Sequence, residues 1–204
     1  MRVRRLAILL SNLAPHPCND VELEQYSTDG DLAARWLVDL VAFGDLVEGC
    51  TFVDLGAGNG VLGLGAIAMG AGKAILVEAD KEACDVAQSN AEKLGFTDSV
   101  DVIQANLGTD SIDLRFADVV ISNPPWGRQS PKADRPFLDA ILSSRVPSHI
   151  MHSAEASHIG ALFEGHGWSV ERYGEADFPL PAMYAHHSRQ RGKTRAAFWR
   201  LTPK

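Results

Sequence analysis

The sequence predicts a doubly wound α/β domain with a seven-stranded sheet and helices on both faces. Two glycine- and proline-marked corners and one alternation carry that prediction. TFVDL at Thr51–Leu55 runs straight into Gly56-Ala57-Gly58-Asn59-Gly60, and a small-residue helical stretch follows at once. VVISNPPW at 119–126 is an apolar strand stopped by two prolines, neither of which has a backbone donor for further sheet pairing. Between and after these corners, strand-like and helix-like segments alternate, which is the pattern of a sheet covered on both sides.

The elements follow in order. Leu6, Leu9, Leu10 and Leu13 fall at helical spacing and predict a short amphipathic helix ended by Pro15 and Pro17. The basic start, MRVRRLAILL, has only five apolar residues at 6–10, short of the ~7–15 of a signal peptide. LEQYST at 23–28 is a polar entry to a second helix, which Asp29 or Asp31 caps and whose inner stripe is Leu32, Trp36, Leu37, Leu40 and Val41. By spacing alone, Gln25, Tyr26 and Thr28 read as helix entry and surface. Strands are expected at 51–55, 73–77, 100–104, 119–122, 146–151, 168–172 and 196–201, and helices at 61–69, 82–94, 136–144 and 153–165. Residues 127–135 (GRQSPKADR) form a polar, basic loop that suits either a substrate lid or solvent. The whole, 1–204, is expected to be one domain, with 1–45 a helical extension and 46–204 the core.

Composition narrows the class. With 46% hydrophobic and 22% charged residues the chain reads as globular, and no apolar run approaches the roughly 20 residues that span a bilayer. A net charge of −7 argues against gripping nucleic acid by bulk electrostatics alone. Cys18, Cys50 and Cys84 are odd in number and far apart, which fits a reducing cytoplasm and no disulfide framework. His186 and His187 are adjacent, and His149 and His152 read as strand-end histidines, so no metal is assigned. The tail from His186 to Arg195 gathers positive charge, as a phosphate-contacting segment or a solvated hairpin would.

The chemistry sits at the two corners. In an open α/β sheet, ligands bind at the carboxyl ends of the strands beside the point where strand order reverses. GNGVLG at 58–63 fits the dinucleotide pattern G-x-G-x-x-G, but the register that starts directly after the strand is Asp54-Leu55-Gly56-x-Gly58-x-Gly60, with Val61 in place of the third glycine. That form suits S-adenosylmethionine, which has no pyrophosphate to seat on the helix end. Glu78, at the end of the second strand, suits a ribose diol. Asn106, at the end of the third, suits either a contact to the adenine amine or a plain turn. At the second corner, Asn123 and the Pro124 carbonyl are two acceptors for the hydrogens of a planar, conjugated amine. Pro125 stiffens the turn, and Trp126 offers a stacking face worth about 1–3 kcal/mol per base. The competing reading is a rigid loop whose Trp covers the sheet edge.

These residues together resemble the class I methyltransferases with a seven-stranded, Rossmann-like sheet. More narrowly, they resemble the archaeal and eukaryotic methyltransferase-like enzymes that make N6-methyladenosine in small-subunit ribosomal RNA. The resemblance rests on LEQYST at 23–28, DLGAGNGVLGLGA at 54–66, NPPWG at 123–127 and FPLPAMYAHHSR at 178–189. It implies S-adenosyl-L-methionine as cofactor, held by Gln25, Tyr26, Thr28, Asp54, Gly56, Asn59, Gly60, Glu78, Asn106 and Leu107. It implies catalytic roles for Asn123, Pro124, Pro125 and Trp126. Glu78 and Asn106 stand where relatives often have Asp, Trp126 where Phe is more frequent, and Asn59 where Cys occurs. The resemblance further implies an RNA substrate and a small zinc-binding activator subunit, and the cysteine usage above a cytoplasmic location. Transfer to a protein glutamine amide or a DNA adenine, and a non-catalytic cofactor-binding scaffold in ribosome assembly, are the competing functions.

Overall fold

The computed structural model of the chain describes residues 1–17, 28–127, 130–179 and 193–204. LEQYST up to Ser27, hence Gln25 and Tyr26, and the Leu180–Arg189 part of the tail motif lie outside the described residues.

Two helices come first, α1 (Val3–Ser11) and α2 (Gly30–Phe43). The Asp29 side chain caps α2 by accepting the Leu32 N–H at 2.8 Å, and Gly44 closes it in the left-handed region (φ 76°). Then follow β1 (Thr51–Leu55), α3 (Val61–Met69), β2 (Lys73–Glu78), α4 (Lys81–Leu94), β3 (Val100–Gln104) and β4 (Val119–Ser122). The chain finishes with α5 (Arg135–Ser144), β5 (Ser148–Ser153), α6 (His158–Gly165), β6 (Trp168–Pro179) and β7 (Lys193–Pro203).

The seven strands form one sheet in the order β3-β2-β1-β4-β5-β7-β6. The first five strands are parallel, and β7 runs antiparallel to both β5 and β6. Strand order reverses at β1, which pairs with β2 on one side and β4 on the other. The expected doubly wound sheet is therefore present, and its switch point lies between the two corners marked in the sequence.

Alternating residues feed two faces. Phe52, Val119 and Ile121 join a core with Leu6, Leu10, Trp36, Leu37 and Leu62 from α1, α2 and α3. Val53, Leu55, Val120 and Ile150 join the opposite core, with Leu138 and Ile141 of α5 and Ile159 and Phe163 of α6. Burial on both sides is why β4 opens as the apolar run Val119–Ile121 and why β1 is apolar apart from Thr51 and Asp54. Glycines at positions 63 and 65 let α3 lie close: a Cβ on Gly63 would run into Leu76 of β2, and one on Gly65 into Leu37 of α2. The N-terminal helices thus belong to the packed core.

Apart from one-residue differences, the boundaries of β5, α6, β6 and β7 differ from expectation, β7 running Lys193–Pro203 instead of 196–201. β5 starts at Ser148, after Pro147, and continues to Ser153 because His152 and Ser153 pair with Ala197 and Ala196 of β7. The helix expected from 153 consequently begins at His158. β6 runs to Pro179, well past 172, because β7 pairs along its whole length, with a register shift between Arg172 and Gly174.

Candidate active site

A cleft of about 460 Å³ opens at the carboxyl edge of the sheet, within the range of small-molecule sites. Its walls include Thr28, Gly56, Asn59, Glu78, Asn106 and Leu107, all among the expected cofactor residues, and Asn123 and Pro125 from the second corner. Asp54, Gly60, Pro124 and Trp126 do not line it.

The glycine corner is held from below and from the side. Gly56, Gly58 and Gly60 all have positive φ (74°, 54° and 83°), which bends the chain tightly between β1 and α3. Asp54 is buried, and its Oδ2 accepts the Gly63 N–H at 3.1 Å, so it braces the start of α3 from underneath the cleft. Its Oδ1 has no partner among the described residues. Burial, opposed by that N–H and assisted by the charge of Glu78, pushes the carboxyl up to about 7.

Glu78 ties two turns together. One carboxylate oxygen accepts the Gly58 N–H at 2.8 Å, and the other accepts the N–H groups of Ala79 (2.8 Å) and Asp80 (3.0 Å). A carboxylate has about four acceptor sites, so capacity remains for a diol hydroxyl. Asn106 is an Asx turn: its Oδ1 accepts the Gly108 N–H at 2.9 Å, and its own N–H goes to Asp110 at 2.8 Å. The turn expected at Asn106 is thus present, and the residue lies on the cleft wall.

A buried residue with no expected role closes the third side. Asn90 of α4 accepts the Ala14 N–H (2.8 Å) and donates to the carbonyls of Ala14 (3.1 Å) and Asn59 (3.0 Å). Asn59 also donates to Ala14 O at 2.9 Å. These bonds lay the segment after α1 over the glycine turn and put His16 on the cleft wall, its ring edge against Gly58. In the sequence His16 is masked by the two prolines around it, which read only as the end of a helix. The signal for Asn90 is a polar residue on the inner face of an otherwise apolar helix.

At the second corner, Ser122 Oγ donates to Leu55 O at 2.8 Å and fixes the end of β4 to β1. Asn123 then projects into the cleft: its Nδ2 donates to Thr28 Oγ1 at 3.2 Å, and its Oδ1 accepts the Trp126 Nε1–H at 3.2 Å. Trp126 is only 7% exposed and packs on Phe178 (centroids 4.9 Å apart) and His152 (6.0 Å, planes 21° apart). Beside it, Asp134, His152 and His158 bring donor atoms within 4.8 Å of one another. His152 is therefore part of a cluster, not merely a strand-end residue. Residues 128–129 of the expected lid lie outside the described residues, and the far end of that loop supplies Ala133 to the cleft wall. Cys84, beneath Glu78, has its thiol pushed up to about 11 by burial and neighbouring acids, which rules it out as a nucleophile near neutral pH.

The cleft fits S-adenosyl-L-methionine: it has the volume, an acid with spare acceptor capacity beside a glycine turn, and an amide facing in from the neighbouring strand. Sheet order, glycine turn and cleft define the chain as a class I S-adenosyl-L-methionine-dependent methyltransferase. The family described as Conserved hypothetical protein 95 matches residues 37–146, more than half of the sequence, and the chain belongs to it. MJ0284 of Methanocaldococcus jannaschii, an uncharacterized protein, is 32% identical over 93% of this chain and 89% of its own length. The rRNA N(6)-adenosine-methyltransferase METTL5 of Danio rerio is 28% identical over the full length of both chains. The crystal structure of PH1948 from Pyrococcus horikoshii, a candidate RNA methyltransferase, superposes with a TM-score of 0.86 at 32% identity, covering 99% of this chain and 98% of that one.

Proposed function

We propose that this chain, acting as a single methyltransferase domain, methylates the N6 amine of an adenosine in RNA, most specifically small-subunit ribosomal RNA. The observation that carries the reading is Asn123, fixed between Thr28 and Trp126 at the end of β4 and facing the cofactor cleft. The full-length similarity to an rRNA adenosine methyltransferase supports the acceptor.

S-adenosyl-L-methionine supplies an electrophilic methyl group on a sulfonium. In this reading Thr28, Gly56, Asn59, Glu78, Asn106 and Leu107 hold it, Glu78 through the ribose diol; Gln25 and Tyr26 belong to the same proposed set, as do Asp54 and Gly60 through the turn they support. The adenine amine is a weak nucleophile because its lone pair is delocalised into the ring. Asn123 Oδ1 has one lone pair beyond the one used by Trp126, and with the Pro124 carbonyl it accepts the amine hydrogens, freeing the nitrogen lone pair. When bound, the cofactor would give up its methyl group and leave as a neutral thioether, while Asn123 and the Pro124 carbonyl would hold the nitrogen toward it until the surplus proton passes to solvent. Orientation of the two reactants supplies most of the rate. The adenine reaches the corner unstacked from its helix. With Trp126 only 7% exposed, the base stacks on the indole only after the corner opens.

An overall charge of −7 means that RNA contact depends on local basic residues such as Arg195, or on help. The reading therefore includes a small zinc-binding activator subunit and a cytoplasmic location. No described helix is long and apolar enough to cross a membrane.

The test uses labelled S-adenosyl-L-methionine and small ribosomal subunits from cells lacking this gene, with extract to supply an activator. Digested RNA and protein are analysed separately by mass spectrometry. N6-methyladenosine that depends on the active chain supports the reading; label in protein or in another nucleoside overturns the acceptor.

A further inference from the structure

The loop between Asn123 and α5 is held at both ends by one imidazole. In the parallel register Ser122 lies beside Ile150, so His152 sits two residues further along β5, at the same sheet edge as the proline corner. Its ring stacks on Trp126 at the loop's beginning (6.0 Å, 21°). Its Nε2 lies 3.2 Å from Asp134 Oδ2 at the loop's end. His158, from the start of α6, places its own Nε2 2.6 Å from the same oxygen. His152 and Asp134 are buried, whereas the His158 side chain is 51% exposed.

The protonation pattern says what this cluster is built for. The Ser153 N–H donates to His152 Nδ1 at 2.9 Å, and a backbone N–H can only donate. Nδ1 thus keeps its lone pair, and Nε2 carries the hydrogen. A metal ion would need that Nε2 lone pair, so the three residues suit an N–H facing a carboxylate, 3.2 Å away though not aligned as a hydrogen bond, and not a cation. Burial would raise the Asp134 carboxyl, but the two imidazoles beside it, His158 in a hydrogen bond and His152 3.2 Å away, outweigh this and hold it below its ordinary value.

Both ends of the loop contribute residues to the cleft. Asn123 and Pro125 line the cleft from one side, and Ala133, Pro136 and Phe137, flanking Asp134, line it from the other. We propose that His152 is a positioning residue for methyl transfer: its ring face sets Trp126 and hence Asn123, and its Nε2–H, with His158, sets Asp134 and hence the cofactor wall. The proposal rests on the methyl-transfer reading above, and it assigns separate tasks to the two halves of one ring.

Two substitutions separate the halves. His152→Phe keeps a ring against Trp126 and loses the donor. It is expected to weaken S-adenosyl-L-methionine binding about three- to tenfold by calorimetry, the scale of one lost polar contact, and to change kcat less. His152→Gln keeps a donor and loses the ring. It is expected to lower kcat about ten- to a hundredfold at saturating cofactor, the scale of a misplaced reacting group, with binding little changed. His158→Ala, at an exposed position, is expected to weaken cofactor binding in the same direction as His152→Phe, and it decides the matter if a His152 variant does not fold. Parallel changes in affinity, kcat and Tm for both His152 variants, or no change in any, would overturn the proposal. The binding arm needs no RNA: if the wild-type chain binds cofactor but makes no N6-methyladenosine, the functional reading fails and the affinity data still decide the role of His152.

Discussion

The Trp126 indole N–H donates to the Asn123 amide oxygen at 3.2 Å, while the Asn123 amide nitrogen donates to Thr28 Oγ1 at the same distance. Turning the amide over would set its NH2 against the indole N–H, donor against donor, so Trp126 fixes which end of Asn123 is the acceptor. The aromatic residue of the proline corner therefore orients the amide, whatever it also does for a base. Thr28, contributed by the segment before α2, completes the fixation from 95 residues away.

Asn123→Ala removes the oriented acceptor and leaves the glycine turn intact. Activity is expected to fall about 10²-fold, the scale seen when one oriented polar group is removed from a transition state, with cofactor affinity little changed. Single-turnover methylation and calorimetry on the same preparation measure the two effects.

Trp126→Phe keeps most of the buried ring but deletes the N–H that orients Asn123. A loss of kcat with little loss of Tm is expected, whereas Trp126→Ala should lose about 3–5 kcal/mol of stability as a buried large-to-small change. Denaturant unfolding distinguishes the two.

Glu78→Gln replaces a carboxylate that accepts three backbone N–H groups by an amide with one acceptor oxygen. The Gly58 or the Ala79 turn must then lose its partner, at a cost of about 1.5–3 kcal/mol. Cofactor affinity is expected to drop roughly ten- to a hundredfold, and the drop is read from the calorimetric Kd.

A half-buried acid, Asp45, and a buried one, Asp54, give stability opposite pH slopes. Asp45 accepts Arg200 Nε at 2.6 Å and Nη2 at 2.9 Å, and lies 2.9 Å from His149 Nε2. Burial alone would raise its carboxyl, but these bonds bring it down to about 2. A depressed acid stabilises the fold above its unfolded pKa of about 4, and that share, about 2 kcal/mol, is lost as pH falls through 4 toward 2. Asp45→Asn is expected to remove this acid-limb slope and to lower stability at neutral pH.

Asp54 works the other way. With its carboxyl raised to about 7, the folded state holds a proton that the unfolded chain releases between pH 4 and 7. Stability from this group falls as pH rises through that window and is flat above it. Asp54→Asn, which preserves an acceptor for the Gly63 N–H, is expected to flatten the slope and to be neutral or stabilising at pH 8. Tm measured across pH 4–8 for both chains checks the sign.

The parallel strands, the glycine turn and the proline corner were legible in the sequence because local chemistry defines them: apolar runs buried on both faces, glycines at positive φ, and prolines that end pairing. The length of β6 was not legible, since Tyr173–Pro179 become strand only through pairing with β7, a partner distant in sequence. Asn90 and His16 were missed for the same reason: their value lies in hydrogen bonds and contacts between α4, the segment after α1 and the glycine turn.

What the sequence by itself determined was the fold class, the switch point between β1 and β4, and the residue types offered at each strand end. The tertiary structure alone decided how those residues are used. It placed Asp54 under the cleft instead of on its wall, buried Trp126 against His152 and Phe178, and gathered Asp134, His152 and His158 from three separate elements. Strands and turns follow from interactions between near neighbours, which a sequence displays. An acceptor's orientation or a carboxyl's pKa follows from atoms that only folding brings within bonding distance.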